Sequence, residues 1–389
     1  MRARAAVMVL GDFRIERPAY QTGQSDTLAW LAAAHTQSAS LTAEAGFDRN
    51  AYEQQLRRVL DRCACSPEKI SRRGHVLEEQ THRRWSEMEL YNLTQSAHGS
   101  GMGVRSRAFQ KHALRIFEQL YEAEPTPPSD LIHVTCTGYV SPSAAQQLVA
   151  ARGWGEVTRV THAYHMGCYA AFPALRMAAG ALHAPPAASS TAPPRVDIVH
   201  TELCSLHLDP SRHELEQLVV QSLFADGIIR YSATREAAEA PGLRVLALDE
   251  LIVPETAGDM SWVASDWGME MTLSRNVPAR IGAALRGFVS RLYEKAGLDV
   301  ARDLKDSAFA IHPGGPKIIE GIGRALELGD AQLEASQDIL FEYGNMSSAT
   351  LPHVWQRLVA ERRVPSNTIV CSLAFGPGLT VCGGIFQKR

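Results

Sequence analysis

Three residues far apart in this chain carry side chains that suit one reaction: Cys168, His312 and Asn345. A cysteine thiolate attacks acyl groups and holds them as thioesters, so one hard step becomes two easier ones. A histidine helps hold the thiolate, and histidine and carboxamide together donate hydrogen bonds to a thioester carbonyl as it gains negative charge. His312 stands in a turn fixed by proline and glycine, His312-Pro-Gly-Gly-Pro316, after the apolar run Phe309–Ile311. Asn345 follows a helix stop at Gly344, a favourable C′ residue. The shared chemistry is acyl transfer, although spacing along a chain does not prove that the three meet.

Cys168 has the most informative surroundings. Val157, Thr158, Val160 and Thr161 read as a strand. The chain tightens at Met166-Gly167 and becomes an Ala/Leu-rich helix up to Gly180, with Pro173 in its first turn, where a missing N–H costs little. Most cysteines are small buried hydrophobes. One held between a strand end and a helix N-terminus meets unsatisfied N–H groups and the positive end of the macrodipole, which favour thiolate over thiol. A nucleophile with a depressed pKa is expected here.

The totals describe the protein around these residues. With 389 residues the chain has room for two ordinary domains or one duplicated fold, and 45% hydrophobic with 21% charged residues describes a soluble, well-cored protein. A net charge of −3 creates no field that points to nucleic acid. Seven scattered cysteines suit a reducing, cytoplasmic compartment better than a disulfide framework. Cys63-Ala-Cys65 has no partner pair downstream, so no metal is expected. No apolar run is long enough to span a bilayer, and the VMVL stretch near the start is a first strand (Ala5–Leu10) rather than a signal segment.

Strands and helices alternate through the rest. Helices are expected from Asp26 and over Ala51–Arg62, Thr94–Ala123, Ser143–Arg152, Gln217–Phe224, Val277–Ala296, Lys317–Leu328, Ala331–Tyr343 and Leu351–Glu361. The glycine-rich Gly99-Ser-Gly-Met-Gly103 within the third of these lacks the context of a phosphate loop. Strands are expected at Leu131–Thr137, Val196–Val199, Ile228–Ser232, Leu243–Leu248, Met269–Leu273, Phe309–Ile311, Thr368–Ala374 and Leu379–Phe386, with a tight turn at Phe375–Gly378. His183–Arg195, rich in proline, alanine and serine, reads as an exposed loop. The pattern restarts after Tyr231, which suggests two halves: 1–232 with the cysteine and 233–389 with the histidine and asparagine. Arg57, Arg58, Arg62, Arg72 and Arg73 lie on or just after the second helix. They are either a solvated face or a contact for the phosphate of a phosphopantetheine arm or for an acidic carrier protein.

The segments GCYAAFPALRMA (167–178), LFADG (223–227), IHPGGPKII (311–319), YGNMSSATLP (343–352) and FGPGLT (375–380) resemble the chalcone synthase-like type III polyketide synthases of the thiolase superfamily. The likeness runs in order over nearly the whole chain and is strongest from Ala308 onward. It implies a five-layered αβαβα thiolase fold with two duplicated halves, a homodimer, and a Cys168–His312–Asn345 triad. It also implies that Phe224 guards the tunnel mouth, that Phe375, Gly376, Pro377 and Gly378 line the cavity, and that Ser347 lies near the nucleophile. Cys136 and Thr137 would face the pocket, and Cys204, Trp262 and Met271 would form the chamber wall.

The implied activity is a ketosynthase reaction: acyl transfer to the cysteine, then Claisen condensation with an extender, usually activated by decarboxylation. No permanently bound cofactor is implied; acyl groups arrive on phosphopantetheine, from an acyl carrier protein or coenzyme A. The chain departs from plant members at Ala170, Ala171 and Pro173, in Leu206-His-Leu-Asp-Pro210, which brings His207 near the chamber, and at the large Trp262. Cys63–Pro67 separates Arg57, Arg58 and Arg62 from Ser71-Arg-Arg73, which favours carrier-protein delivery. This altered set is similar to stand-alone bacterial ketosynthases of antibiotic pathways that join two β-ketoacyl chains into an α-pyrone. Iterative extension from an acyl-CoA starter with malonyl-CoA is the alternative.

Overall fold

A computed structural model describes residues 8–185, 193–235 and 241–389. Residues 5–7 of the expected first strand, and 186–192 of the proline-rich segment, lie outside them. Along the chain come β1 (Met8–Glu16), a separate pair made of β2 (Tyr20–Gly23) and β3 (Arg72–His75), then β4 (Asp130–Thr135), β5 (Arg159–Tyr164), β6 (Arg195–Glu202) and β7 (Gly227–Arg235). Next are β8 (Leu243–Ile252), a second pair made of β9 (Met260–Ala264) and β10 (Met269–Leu273), and β11 (Ala308–Ile311), β12 (Ile369–Gly376) and β13 (Thr380–Lys388). The helices are α1 (Gln24–Thr42), α2 (Arg49–Cys63), α3 (Met102–Leu120), α4 (Ala144–Ala151), α5 (Ala171–His183), α6 (Leu215–Leu223), α7 (Val277–Lys295), the single turn α8 (Val300–Asp303), α9 (Pro316–Leu326), α10 (Asp330–Tyr343) and α11 (Thr350–Ala360).

Nine strands form one sheet in the order β11-β12-β13-β8-β1-β7-β6-β4-β5. Its two ends repeat one wiring. The first strand of each, β1 or β8, lies innermost and antiparallel to the last, β7 or β13. Next outward comes β6 or β12, antiparallel to that last strand, and then β4 or β11 in parallel. β5 adds one more parallel strand on the first side. The ends join where β1 meets β8 over two register pairs, Val9–Arg244 and Leu10–Leu243. The expected boundary at 232/233 falls inside β7, which continues to Arg235.

Side-chain alternation turns this sheet into layers, because successive strand residues face opposite sides. Ile132 and Val134 of β4 enter the same cluster as Val370 and Ala374 of β12. Leu131 faces the other way, toward Trp30 of α1 and Phe117 of α3, while Cys371 and Leu373 face Phe288 of α7 and Ile319 of α9. The shared cluster is filled by Phe172 and Leu175 of α5 and by Leu351, Val354 and Trp355 of α11. Two central helices thus lie between sheet regions whose far faces are covered by helices, giving five layers. The rings of Phe172 and Trp355 meet edge to face at 5.9 Å, so the two halves touch at their centre.

Several elements differ from the sequence reading. The helix expected over Thr94–Ala123 begins only at Met102, because Gly99 adopts φ +74 and passes so close to Leu90 that a Cβ would lie 2.3 Å from its carbonyl oxygen. α5 runs through Gly180 to His183, where the glycine has open space around it. β2, β3 and β9 were not expected, since short polar or mixed segments such as Arg72–His75 show no apolar alternation. Phe375 and Gly376 end β12 rather than opening a turn.

Trp355 is fully buried, packs on Phe172, Tyr231 and Phe386, and donates its indole N–H to Ser372 Oγ at 2.7 Å. Trp355→Ala is expected to cost about 3–5 kcal/mol, read as a lowered urea midpoint; a change within error of zero would show that the central layer is not packed as described.

Candidate active site

Cys168 occupies the turn between β5 and α5, three residues before the helix begins. Gly167 has φ +78, and a Cβ there would lie 2.4 Å from Pro377 Cδ; a Cβ on Gly376 would lie 2.3 Å from Tyr169. Phe375–Gly378 therefore backs the turn that presents the cysteine, and only glycine permits both approaches. The Cys168 Sγ lies 3.9 Å from Ser347 Oγ.

His312 leaves β11 with its N–H donated to the Leu373 carbonyl at 2.8 Å, and both nitrogens of its buried ring lack a hydrogen-bond partner. Asn345 donates from Nδ2 to the Gly314 carbonyl at 3.2 Å, while its Oδ1 accepts from the Ser347 N–H at 2.9 Å. Contacts thus run from Cys168 through Ser347 and Asn345 to Gly314, two residues past His312. The Asn345 backbone is bridged to α6's end: its N–H donates to Leu223 O at 3.0 Å, and its carbonyl accepts from Ala225 N–H at 2.8 Å.

The electrostatics differ from the sequence expectation. Burial pushes the Cys168 thiol up to about 12, and the same loss of solvent drives His312 down to about 3. Ser347 and backbone hydrogen bonding favour the thiolate, but neither offsets desolvation, and the buried imidazole supplies no positive charge. The resting pair is thiol and neutral imidazole.

Phe224, Trp262, Met271, Cys204 and His207 line one narrow cavity of about 40 Å³. The Phe224 and Trp262 rings stack with centroids 6.5 Å apart. Cys168 and Ser347 are not in its wall; the connection runs through Trp262, whose indole N–H donates to Cys136 O at 2.7 Å, and Cys136, whose Sγ accepts from Gly167 N–H at 3.0 Å. Thr137 is turned to scaffolding: its hydroxyl accepts from Leu203 N–H at 2.8 Å and donates to Glu202 at 3.2 Å. His207 is held between Thr137 O (2.7 Å) and Met269 N–H (3.2 Å), which fixes a neutral tautomer with the proton on Nε2; burial lowers it to about 4.

Two residues near the site escaped the sequence reading. Glu202 is a fully buried carboxylate held by Cys136 N–H at 2.9 Å, Thr137 Oγ and Ser348 Oγ, and burial raises its pKa. The sequence signal was an acid closing the apolar strand VDIVHTE. Arg73, which the sequence puts in a cluster that is either a solvated face or a phosphate or carrier contact, is buried. Arg57, Arg58 and Arg62 are exposed on α2, with Arg57 paired to Glu53 at 2.7 Å. Among the described residues no cluster of His, Cys, Asp or Glu is arranged to hold a metal, and no helix is long and apolar enough to cross a membrane.

A five-layered fold with two central helices between sheet regions is the architecture of the thiolase fold. Comparison with known proteins narrows this further. Residues 245–388 match the family Chalcone and stilbene synthases, C-terminal domain. The chain is 32% identical over 263 residues to Probable polyketide synthase 1 of Dictyostelium discoideum, which covers 67% of this chain but 8% of that protein. It is 28% identical over 264 residues to Type III polyketide synthase C of Arabidopsis thaliana (66% of this chain, 67% of that one). It is 29% identical over 250 residues to 1,3,6,8-tetrahydroxynaphthalene synthase of Streptomyces coelicolor (64% of each).

Among solved structures, the C-terminal type III polyketide synthase domain of Steely1, a type I/III hybrid from Dictyostelium, superposes with a TM-score of 0.79 at 23% identity, covering 98% of this chain and 99% of that one. PKS-I from the brown alga Ectocarpus siliculosus gives 0.81 at 19% identity over the full length of both. These structures show the shared fold. The C-terminal part of the chain is thus similar to the chalcone and stilbene synthases, and two of these relatives are named as polyketide synthases.

With a thiol near 12, the thiolate fraction rises about tenfold per pH unit throughout the neutral range. Alkylation of Cys168 by iodoacetamide should therefore climb log-linearly from pH 7 to about pH 9.5; a plateau beginning near neutrality would show a thiolate already formed.

Proposed function

We propose that the chain is a ketosynthase that joins two carrier-bound β-ketoacyl chains through an acyl-Cys168 intermediate and closes the product to an α-pyrone, a polyketide of the antibiotic type. The observation that carries the reading is the continuous set of contacts from Cys168 through Ser347 and Asn345 to the His312 turn. His312, Cys168 and Asn345 are the catalytic residues of this proposal. The unpartnered, neutral imidazole takes the Cys168 proton as sulfur attacks the first thioester carbonyl, and returns it to the departing phosphopantetheine thiol. Burial makes each separate charge costly, so imidazolium forms only beside the anion it balances.

His312 next accepts a proton from C2 of the second β-ketoacyl thioester, and Asn345 Nδ2 donates its remaining N–H to the enolate oxygen. C2 attacks the acyl-enzyme carbonyl, the carbon–sulfur bond to Cys168 breaks, and sulfur regains the proton. An enol oxygen then attacks the remaining thioester carbonyl and expels its phosphopantetheine thiol, closing the lactone. Exposed Arg57, Arg58 and Arg62 would meet the phosphate or acidic face of the carrier. Seven free cysteines suit a cytoplasmic site of action.

A second reading has the enzyme extend an acyl-CoA starter with malonyl-CoA, with decarboxylation generating the enolate. It rests on the likeness to a relative named Type III polyketide synthase C. A homodimer forms part of either reading. β5 ends the nine-stranded sheet with exposed Arg159, Thr161 and His162, and Tyr139 beside it is 46% exposed, so a second copy would cover an open edge. Analytical ultracentrifugation should give twice the chain mass, and a monomer at micromolar concentration would remove the dimer from the reading.

Intact-protein mass spectrometry should place one acyl group on Cys168 and none on Cys168→Ala. Asn345→Ala should still load acyl groups while condensing about 10²–10³-fold more slowly. β-Ketoacyl thioesters supplied without malonyl-CoA should yield pyrone. Strict malonyl dependence with release of carbon dioxide would select the second reading, and no acylation by either donor would overturn both.

A further inference from the structure

The last turn of α6 offers an unusual account of its carbonyls. A helix C-terminus leaves its final carbonyls without intrahelical donors. Here Val220 O accepts from Phe224 N–H at 3.3 Å, and Leu223 O accepts from Asn345 N–H at 3.0 Å. Ser222 O accepts from Gln24 Nε2 at 2.9 Å. Gln221 O and Phe224 O both accept from Arg73 Nη1 at 2.7 Å. One guanidinium thus grips the carbonyls on either side of the one that holds Asn345.

Arg73 itself is fixed. Its Nε donates to Gln24 Oε1 at 2.9 Å, it is 5% exposed, and it has no salt bridge among the described residues. Its stem also fills the space beside Gly344: a Cβ there would lie 3.1 Å from Arg73 Cγ, and φ of Gly344 is +76. The chain entering Asn345 is therefore moulded against this arginine. A buried guanidinium with no carboxylate in ion-pair contact, Asp226 acting on it only from further away, is a poor choice for stability alone, since an apolar side chain would fill the volume without the desolvation cost.

From these contacts we infer that Arg73 is a positioning residue, which from β3 locks the end of α6 and thereby sets the Phe224 ring and Asn345 as one unit. It touches neither the acyl group nor Cys168. Its loss should therefore separate the two stages of the reaction: loading onto Cys168 continues, while condensation, which depends on the placement of Asn345 and Phe224, falls. The inference rests on the condensing reading for its kinetic consequence, but its structural consequence stands independently.

The test uses the full-length protein with Arg73→Met, which keeps the stem and removes the donors, and Arg73→Lys, which keeps one donor. Hydrogen exchange should speed up roughly tenfold or more at the amides of Asn345 and Ala225 in Arg73→Met while those of α5 stay at the wild-type rate. Acyl occupancy of Cys168 should stay within about twofold of wild type and condensation should drop on the order of a hundredfold, with Arg73→Lys intermediate in both exchange and condensation. Unchanged exchange at Asn345 and Ala225 would overturn the inference, as would faster exchange throughout the chain or an equal fall in loading and condensation. If the wild type takes no acyl group, the condensing function fails, and the exchange comparison alone decides the positioning role.

Discussion

Exclusion of water sets the resting protonation of the candidate site residues. Cys168, His312 and Glu202 are all buried, and burial moves each toward its neutral form. A thiol and an imidazole that are both uncharged at rest do not attract water or stray cations. In the proposed reaction charge appears only when a proton moves between groups that are already placed, and the low dielectric then makes each fixed hydrogen bond count for more than it would in solvent.

The repeated wiring explains how that volume is built. Equivalent strands in the two halves, β4 and β11, end in Cys136 and His312 neighbourhoods, and the two central helices, α5 and α11, begin just after Cys168 and the Asn345–Ser348 segment. Strand ends and helix starts from both halves therefore point at one place. Rigid elements bring the reacting groups together, and tight glycine contacts at Gly167 and Gly376 let their turns close on each other.

Much of this was legible in the sequence where periodicity is strong. α7, α11, β12 and β13 appear almost where apolar spacing put them, because one face of each is committed to a core, whereas β1 runs on to Glu16, past the expected end at Leu10. The strand–turn–helix around Cys168 and the Pro/Gly turn at His312 were equally clear, since proline and glycine fix local geometry. What the sequence hid depends on contacts between distant segments. A thiol three residues before a helix looks activated until the tertiary fold removes its solvent, and Arg73 looks like a surface charge until α6's carbonyls close over it. Likewise His207 looks like a polar intruder in a chamber, yet both of its nitrogens are consumed by Thr137 and Met269.

The meeting of Phe172 with Trp355 reaches beyond the packing of one layer. Two halves wired alike could vary freely if each answered only to its own neighbours. Here the bulk of one copy is the mould of the other, so a change of girth on one side survives only with a matching change opposite. At this contact the two halves can change only as a pair.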